Sequence, residues 1–183
     1  MDYNQFTARL NDFLLFIDMK KYNVLFLCHH NSARSIMAQA LASTHLSKKF
    51  EGYSAGSLPG DALNSYAIEL INEVNYQGEA LIPKSWDVFT SPDAPKMDFI
   101  ISLSDKVRGE DVPIWPGSPA TAHWDFPDPG ITSGSNNMEI KAAYVALFKG
   151  LQNRIDILAA LSFERLDKIR LQDELNAIHQ NLL

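Results

Sequence analysis

Cysteine is almost absent from this chain, since Cys28 is the only one among 183 residues. A single cysteine cannot form an internal disulfide, so nothing in the sequence indicates an oxidising compartment. We therefore expect a cytoplasmic protein in which this thiol is either buried as a small apolar side chain or kept for its chemistry.

Positive charge is also scarce. The 16 Lys and Arg residues are outnumbered by 22 Asp and Glu residues, the net charge is −6, and the basic residues form no stripe. This excludes a nucleic-acid-binding protein. The longest apolar run near the start, residues 13–17, is too short to span a bilayer and lacks the flanks of a signal peptide, so no membrane partner is expected. No cluster has metal-ligand spacing, so we predict no metal and no bound cofactor.

What the chain does contain is typical of a soluble globular protein, with 46% apolar and 21% charged residues. Its length suits one domain with terminal additions. We divide it into an N-terminal helical extension (1–21), a catalytic domain (22–161) and a C-terminal helix packed on the same domain (162–183). The N-terminal helix is expected to pack on the domain or to join a second copy in a homodimer.

The order of the apolar segments predicts an α/β fold. Residues 22–27 include the continuous apolar run 24–27, which indicates a central strand buried on both faces. Strands are predicted at 22–27, 52–56, 97–103 and 112–115, and helices at 35–46, 63–74, 86–89, 138–161 and 163–178. Residues 116–137 are rich in Pro, Gly and Ser and indicate a long loop. Strands alternating with helices favour a parallel sheet with helices on both faces.

The candidate site lies where the first strand passes into the first helix. The segment reads Cys28, His29, His30, Asn31, Ser32, Ala33, Arg34, Ser35. A helix N-terminus and a nearby arginine both favour the thiolate form of Cys28, which is the nucleophile. The same loop N–H groups and the Arg34 fork can hold the oxygens of an anion. Ser35 can donate its hydroxyl to the sulfur, and Asn31 can brace the loop. We therefore predict a thiolate enzyme acting on a tetrahedral oxyanion.

Cys-x5-Arg-Ser followed by Met37-Ala38 resembles the phosphate loop of the low-molecular-weight protein tyrosine phosphatases and of the arsenate reductases that share their fold. The resemblance runs from about residue 22 to residue 161, and residues 54–56 match the family's second-strand turn. Residues 115–117, 123–124 and 128–129 are closer to the arsenate reductases. The resemblance implies a flavodoxin-like, four-stranded parallel sheet with helices on both faces and the loop at the carboxyl ends of the strands.

The resemblance also implies a general acid. In the family this acid precedes a proline in a late loop, which matches Asp128; it would give a proton to the leaving oxygen. Asp125, three residues earlier, remains the alternative. Of the nearby histidines, His123 is expected to pack within the loop and His179 to lie at the surface.

The best-known reductases of this type carry two further cysteines, but Ser104 and Val112 stand at those places. The resemblance therefore implies an arsenate reductase whose single Cys28 relies on an external thiol, such as glutathione with glutaredoxin, or mycothiol. One alternative is an aryl-phosphate (protein tyrosine) phosphatase with a cysteinyl-phosphate intermediate, although the loop after Pro129 has no tyrosine to stack a substrate ring. Another is a non-catalytic, oxyanion-binding regulatory module.

Overall fold

The computed structural model describes residues 20–131, 136–166 and 168–180. The helical extension predicted for residues 1–21 therefore lies almost entirely outside the described residues. The strands are β1 (Tyr22–Cys28), β2 (Phe50–Gly56), β3 (Phe99–Ser102) and β4 (Ala120–His123). The α-helices are α1 (Arg34–Thr44), α2 (Ser65–Glu73), α3 (Asp105–Arg108), α4 (Asn137–Ala160) and α5 (Lys168–Gln180), and short 3₁₀ helices cover Trp86–Phe89, Pro129–Ile131 and Phe163–Arg165.

The four strands form one parallel sheet in the order β2-β1-β3-β4. β1 is central, and its residue Leu27 pairs with Ala55 of β2 and Ser102 of β3. The apolar run at residues 24–27 of β1 follows from this position, because a central strand buries both faces. The predicted α/β architecture is confirmed. It places Cys28, the last residue of β1, at the carboxyl edge of the sheet, where parallel sheets bind ligands.

Side chains of β1 alternate between two apolar layers. Val24, Phe26 and Cys28 join the larger core with α1, α2, α4 and α5, whereas Leu25 and Leu27 face a smaller core with the 3₁₀ helix at Trp86–Phe89. The helices therefore cover both faces, as predicted. None of the described helices is long and apolar enough to cross a lipid bilayer.

The prediction of the fourth strand was wrong. Residues 112–115 form no strand, and Val112 and Ile114 are exposed. β4 lies instead at Ala120–His123, inside the stretch predicted as a loop. Its inward residues are alanines at an edge of the sheet, so the apolar signal is weak, whereas the prolines on either side of 114–115 prevent that more apolar segment from joining a ladder.

The C-terminal helix covers the exposed edge of β4. Gln172 of α5 bonds the backbone of Thr121 twice: its Oε1 accepts from the N–H at 3.1 Å, and its Nε2 donates to the carbonyl. Trp124, fully buried beyond β4, donates its indole N–H to the carbonyl of Leu175 at 3.1 Å. These contacts occupy edge groups that would otherwise pair with another strand.

Candidate active site

The segment from Cys28 to Arg34 forms a loop in which three backbone carbonyls accept hydrogen bonds from residues outside the loop. Leu58 N–H donates to the His29 carbonyl at 3.0 Å, Gly60 N–H to the His30 carbonyl at 2.9 Å, and Asn64 N–H to the Ser32 carbonyl at 2.9 Å. With the carbonyls held in this way, the N–H groups are left for a ligand. Within the described residues, the N–H groups of residues 30–34 donate no hydrogen bond.

The first turn of α1 extends this set of free donors. Its N-cap is Ala33, which has no side chain able to cap the turn, and the turn holds no acidic residue. By contrast, α2 and α4 are both capped by asparagine side chains. Since an uncapped N-terminus leaves backbone N–H groups and a positive dipole end unpaired, the start of α1 is suited to binding an anion.

A directed series of hydrogen bonds ends at the Cys28 sulfur. The Lys84 N–H donates to Asn31 Oδ1 at 2.9 Å, and Asn31 Nδ2 donates to Ser35 Oγ at 2.9 Å. Ser35 Oγ lies 3.0 Å from Cys28 Sγ. Because the Ser35 oxygen already accepts from Asn31, its own hydrogen is free to point at the sulfur. A donated hydroxyl stabilises a thiolate.

Asn31 takes a backbone conformation that matches this role. Its φ is 48°, in the left-handed region that asparagine tolerates better than most residues. Gly56 packs against the same turn: a Cβ there would lie 2.6 Å from the His29 carbonyl oxygen and 3.0 Å from the Asn31 nitrogen. The close approach of β2 to the loop therefore needs a glycine.

Arg34 joins the loop to the segment that follows β4. This arginine is 7% exposed, and it donates from Nη1 to the Phe126 carbonyl at 3.0 Å and from Nη2 to Asp128 Oδ2 at 2.8 Å. Since a guanidinium has five N–H groups, these two bonds leave three for another anion. Arg34 is therefore positioned to bind an oxyanion and the Asp128 carboxylate together.

The structure separates the two candidate acids. The Asp128 carboxylate lies on Arg34 and also accepts from the Gly130 N–H at 3.0 Å. Asp125 instead lies in a different cluster, with Asp105 and His123, whose ligand-type atoms fall within 4.8 Å of one another. The spacing of these three residues along the chain gave no sign of that cluster. The His123 ring makes two hydrogen-bond contacts: its Nδ1 lies 2.7 Å from Ser102 Oγ, and its Nε2 lies 3.0 Å from Asp105 Oδ1. These contacts account for His123 as a residue that packs within this part of the fold.

The two loop histidines have different partners. His29 Nδ1 lies 2.9 Å from Ser57 Oγ and 3.1 Å from Glu110 Oε1, which follows α3. His30 Nδ1 lies 3.1 Å from the Leu58 carbonyl and must donate to it, because a carbonyl only accepts. Both rings therefore fasten the loop to its surroundings.

Several contributors were not found from the sequence. Phe126 acts through its backbone carbonyl and Lys84 through its backbone N–H, so neither side chain carried a signal. His179 was predicted at the surface but lies partly buried beside Arg154 of α4. At the positions expected for further cysteines, Ser104 is 2% exposed at the start of α3 and Val112 is 43% exposed.

The fold and this loop define a class: parallel α/β proteins with a cysteine at the carboxyl end of the central strand and the N-terminus of a helix just beyond it. The family model described as low molecular weight phosphotyrosine protein phosphatase matches residues 23–169. The chain therefore belongs to this family of enzymes, as its phosphate loop predicted. The match ends at the second residue of α5, so most of that helix lies beyond it.

Curated relatives are named arsenate reductase, and solved structures with a similar fold carry both names, arsenate reductase and phosphotyrosine phosphatase. An arsenate reductase of Shouchella clausii is 32% identical over 117 residues, which cover 64% of this chain and 81% of the relative. The fold is similar to that of an arsenate reductase from Archaeoglobus fulgidus (TM-score 0.52, 22% identity, 73% of this chain and 98% of that one). It is also similar to a low molecular weight phosphotyrosine phosphatase from Vibrio cholerae (TM-score 0.54, 17% identity, 79% and 97%).

Proposed function

We propose that the protein is an arsenate reductase with Cys28 as its nucleophile and an external thiol as its reductant. The observation that carries this proposal is the contact of 3.0 Å between Ser35 Oγ and Cys28 Sγ at the base of a loop with free N–H groups. Relatives named arsenate reductase at 30–32% identity support arsenate as the oxyanion.

In the first step the Cys28 thiolate attacks the arsenic of arsenate, and one oxygen leaves as water. The loop N–H groups and Arg34 hold the remaining oxygens, and Asp128 supplies a proton to the leaving oxygen. The placement of Asp128 on Arg34, 2.8 Å away, favours it over Asp125 for this role. The product of the step is a covalent adduct between the Cys28 sulfur and pentavalent arsenic.

In the second step an external thiol attacks the sulfur of Cys28. The electron pair of the sulfur–arsenic bond stays on arsenic, which leaves as arsenite, and Cys28 is left in a mixed disulfide. A second thiol then releases the Cys28 thiolate. In total, two thiols become one disulfide, arsenic gains two electrons, and one oxygen leaves as water.

Both thiols must come from outside because Cys28 is the only cysteine of the chain. We propose glutathione with glutaredoxin as the reductant. A cytoplasmic location belongs to the same proposal, since this compartment keeps such thiols reduced.

A second candidate function is hydrolysis of aryl phosphates, the activity that gives the family its name. The observation in its favour is the Ser35 hydroxyl, which would stabilise the Cys28 thiolate as the leaving group when water hydrolyses a cysteinyl phosphate. Arg34 and the loop N–H groups would bind phosphate as they bind arsenate.

The test offers arsenate to the purified protein with glutathione plus glutaredoxin, and in parallel with thioredoxin and its reductase. Para-nitrophenyl phosphate is offered separately, and Cys28→Ser is the control in every arm. Arsenite formation that needs an added thiol system and is lost in Cys28→Ser supports the proposal, and the productive arm identifies the reductant. Turnover of the aryl phosphate alone refutes it in favour of the second function.

A third outcome identifies a binding module. Cys28 is the only thiol of this chain, so the rate at which iodoacetamide labels the protein reports directly on Cys28. Protection of Cys28 by phosphate or arsenate, without turnover in any arm, would show that the loop binds oxyanions but does no chemistry, and would contradict both enzymatic functions.

A further inference from the structure

In the part of the chain that the structure describes, Arg154 of α4 is a buried cation without an acidic partner. It is 6% exposed, and among the described residues no carboxylate lies within ion-pair distance of it. Within the same part of the chain, its Nε is also the buried side-chain nitrogen that has no hydrogen-bond partner. A buried, unpaired guanidinium is costly, so its surroundings must stabilise it in another way.

The main stabilising contact is the ring of Phe126. The Arg154 guanidinium carbon lies 4.3 Å from the centre of this ring, a close cation–π geometry in a desolvated setting. Phe126 is the residue whose carbonyl accepts from Arg34 Nη1, and Asp128, two residues on, binds Arg34 Nη2. Arg154 therefore holds the ring of Phe126, which belongs to the same short segment as Asp128. The Phe126 carbonyl and the Asp128 carboxylate of this segment both contact Arg34.

Helix α5 contacts Arg154 through His179, whose Nδ1 lies 3.2 Å from Arg154 Nη2. Arg154 Nη1 donates instead to the Gly150 carbonyl of its own helix, α4, at 3.3 Å. Since a guanidinium only donates, His179 must accept through an unprotonated nitrogen. Burial, followed by the charge of Arg154, lowers the pKa of His179, which keeps this ring neutral.

We propose that Arg154 is a positioning residue for residues 126–128, and that α5 completes its setting through His179. The consequence for turnover rests on the proposed function of Asp128 and Arg34. The contact between Arg154 and the Phe126 ring does not depend on that function. The match to the family model ends at residue 169, so most of α5, including His179, lies beyond it. In this proposal, residues 126–128 are therefore positioned in part by a helix outside the family match.

Substitutions at two positions, Arg154 and Gly150, test the proposal independently. Arg154→Met removes the charge and keeps an unbranched apolar stem, whereas Arg154→Lys keeps a cation that can lie over the ring but lacks the fork that reaches His179. Gly150→Ala keeps Arg154 and favours the helix, but its Cβ would lie 2.8 Å from Phe126 Cε1, so the ring must move. Lys149→Met, an exposed cation on the same helix, is the matched control.

The first measurement is hydrogen–deuterium exchange of peptides covering residues 124–130, which needs no activity. We expect faster exchange there in Arg154→Met and Gly150→Ala, with β1 and β2 unchanged, and wild-type behaviour in Lys149→Met. The second is steady-state kinetics on whichever substrate the wild type turns over. We expect kcat to fall about tenfold, as for a slightly misplaced catalytic group, with KM little changed and partial recovery in Arg154→Lys.

Wild-type exchange and kcat in Gly150→Ala would overturn the proposal, even if Arg154→Met fails to fold. The same holds if Arg154→Met lowers only the unfolding free energy, because Arg154 would then be a purely structural residue. If the wild type turns over neither arsenate nor aryl phosphate, the proposed function fails but the exchange experiment still decides the positioning role.

Discussion

Ser35→Ala tests the core of the site with the removal of one oxygen. Ser35 Oγ is the acceptor for Asn31 Nδ2 at 2.9 Å and lies 3.0 Å from Cys28 Sγ. Both Ser35 and Asn31 are fully buried, so water cannot easily take the place of the lost hydroxyl. The substitution therefore removes one donor from the thiolate and one acceptor from the asparagine amide.

Each loss has an expected size. A hydrogen bond to a charged group contributes about 1.5–3 kcal/mol, so losing it at the thiolate should slow Cys28-dependent turnover about 10- to 100-fold. The asparagine N–H that loses its acceptor is a buried unsatisfied donor, which should lower the unfolding free energy by about 1–3 kcal/mol. One substitution thus predicts a kinetic effect and a separate stability effect.

The kinetic effect is measured as kcat on the accepted substrate and as the rate of iodoacetamide labelling of Cys28 at neutral pH; both should fall. The stability effect is measured by urea unfolding. Ser65→Ala, an exposed serine on α2, is the control and should match the wild type. Turnover and labelling that stay at wild-type rates in Ser35→Ala would refute the claim that this hydroxyl donates to the thiolate.

Three further predictions concern the surroundings of the loop. Asp128→Asn should lower kcat about 10²- to 10⁴-fold because it removes the general acid, whereas Asp125→Asn should leave kcat unchanged; the reverse result would assign the acid to Asp125. Gly56→Ala should lower the unfolding free energy in urea by about 1–3 kcal/mol, since its Cβ would lie 2.6 Å from the His29 carbonyl oxygen; wild-type stability would contradict this packing. Burial and Arg154 lower the pKa of His179 in the folded protein, so its contribution to stability is complete above about pH 6.5 and is lost as the pH falls towards the folded-state value. His179→Gln should flatten this part of the curve of urea midpoint against pH, and an unchanged curve would show that His179 does not cause it.

The parts of the fold that the sequence predicted are those with strong local patterns. β1 carries a run of four apolar residues, 24–27, and α1 begins within one residue of the predicted start at residue 35. β4 was missed because two inward alanines on an edge strand carry little apolar signal. Its edge is covered by Gln172, 51 residues later, a contact that no local pattern reveals.

The candidate site divides in the same way. Cys28, Arg34 and Ser35 lie within eight consecutive residues, between a predicted strand and a predicted helix, so local sequence suggested an anion loop. Phe126 and Lys84 contribute through backbone atoms, and Arg154 contacts the Phe126 ring by crossing from α4 to the segment after β4. Such contributions depend on tertiary packing, which residue types and spacing do not encode locally.

The position of Arg34 explains how the two halves of the site can act together. In the structure described here, its charge is balanced by Asp128, 2.8 Å away. In the proposed mechanism, an oxyanion entering the loop competes for the same guanidinium and brings negative charge close to the Asp128 carboxylate. Binding of the oxyanion would therefore change the contacts of the Asp128 carboxylate, since both anions share the N–H groups of Arg34. This shared guanidinium ties the loop after β1 to the segment after β4 through one side chain.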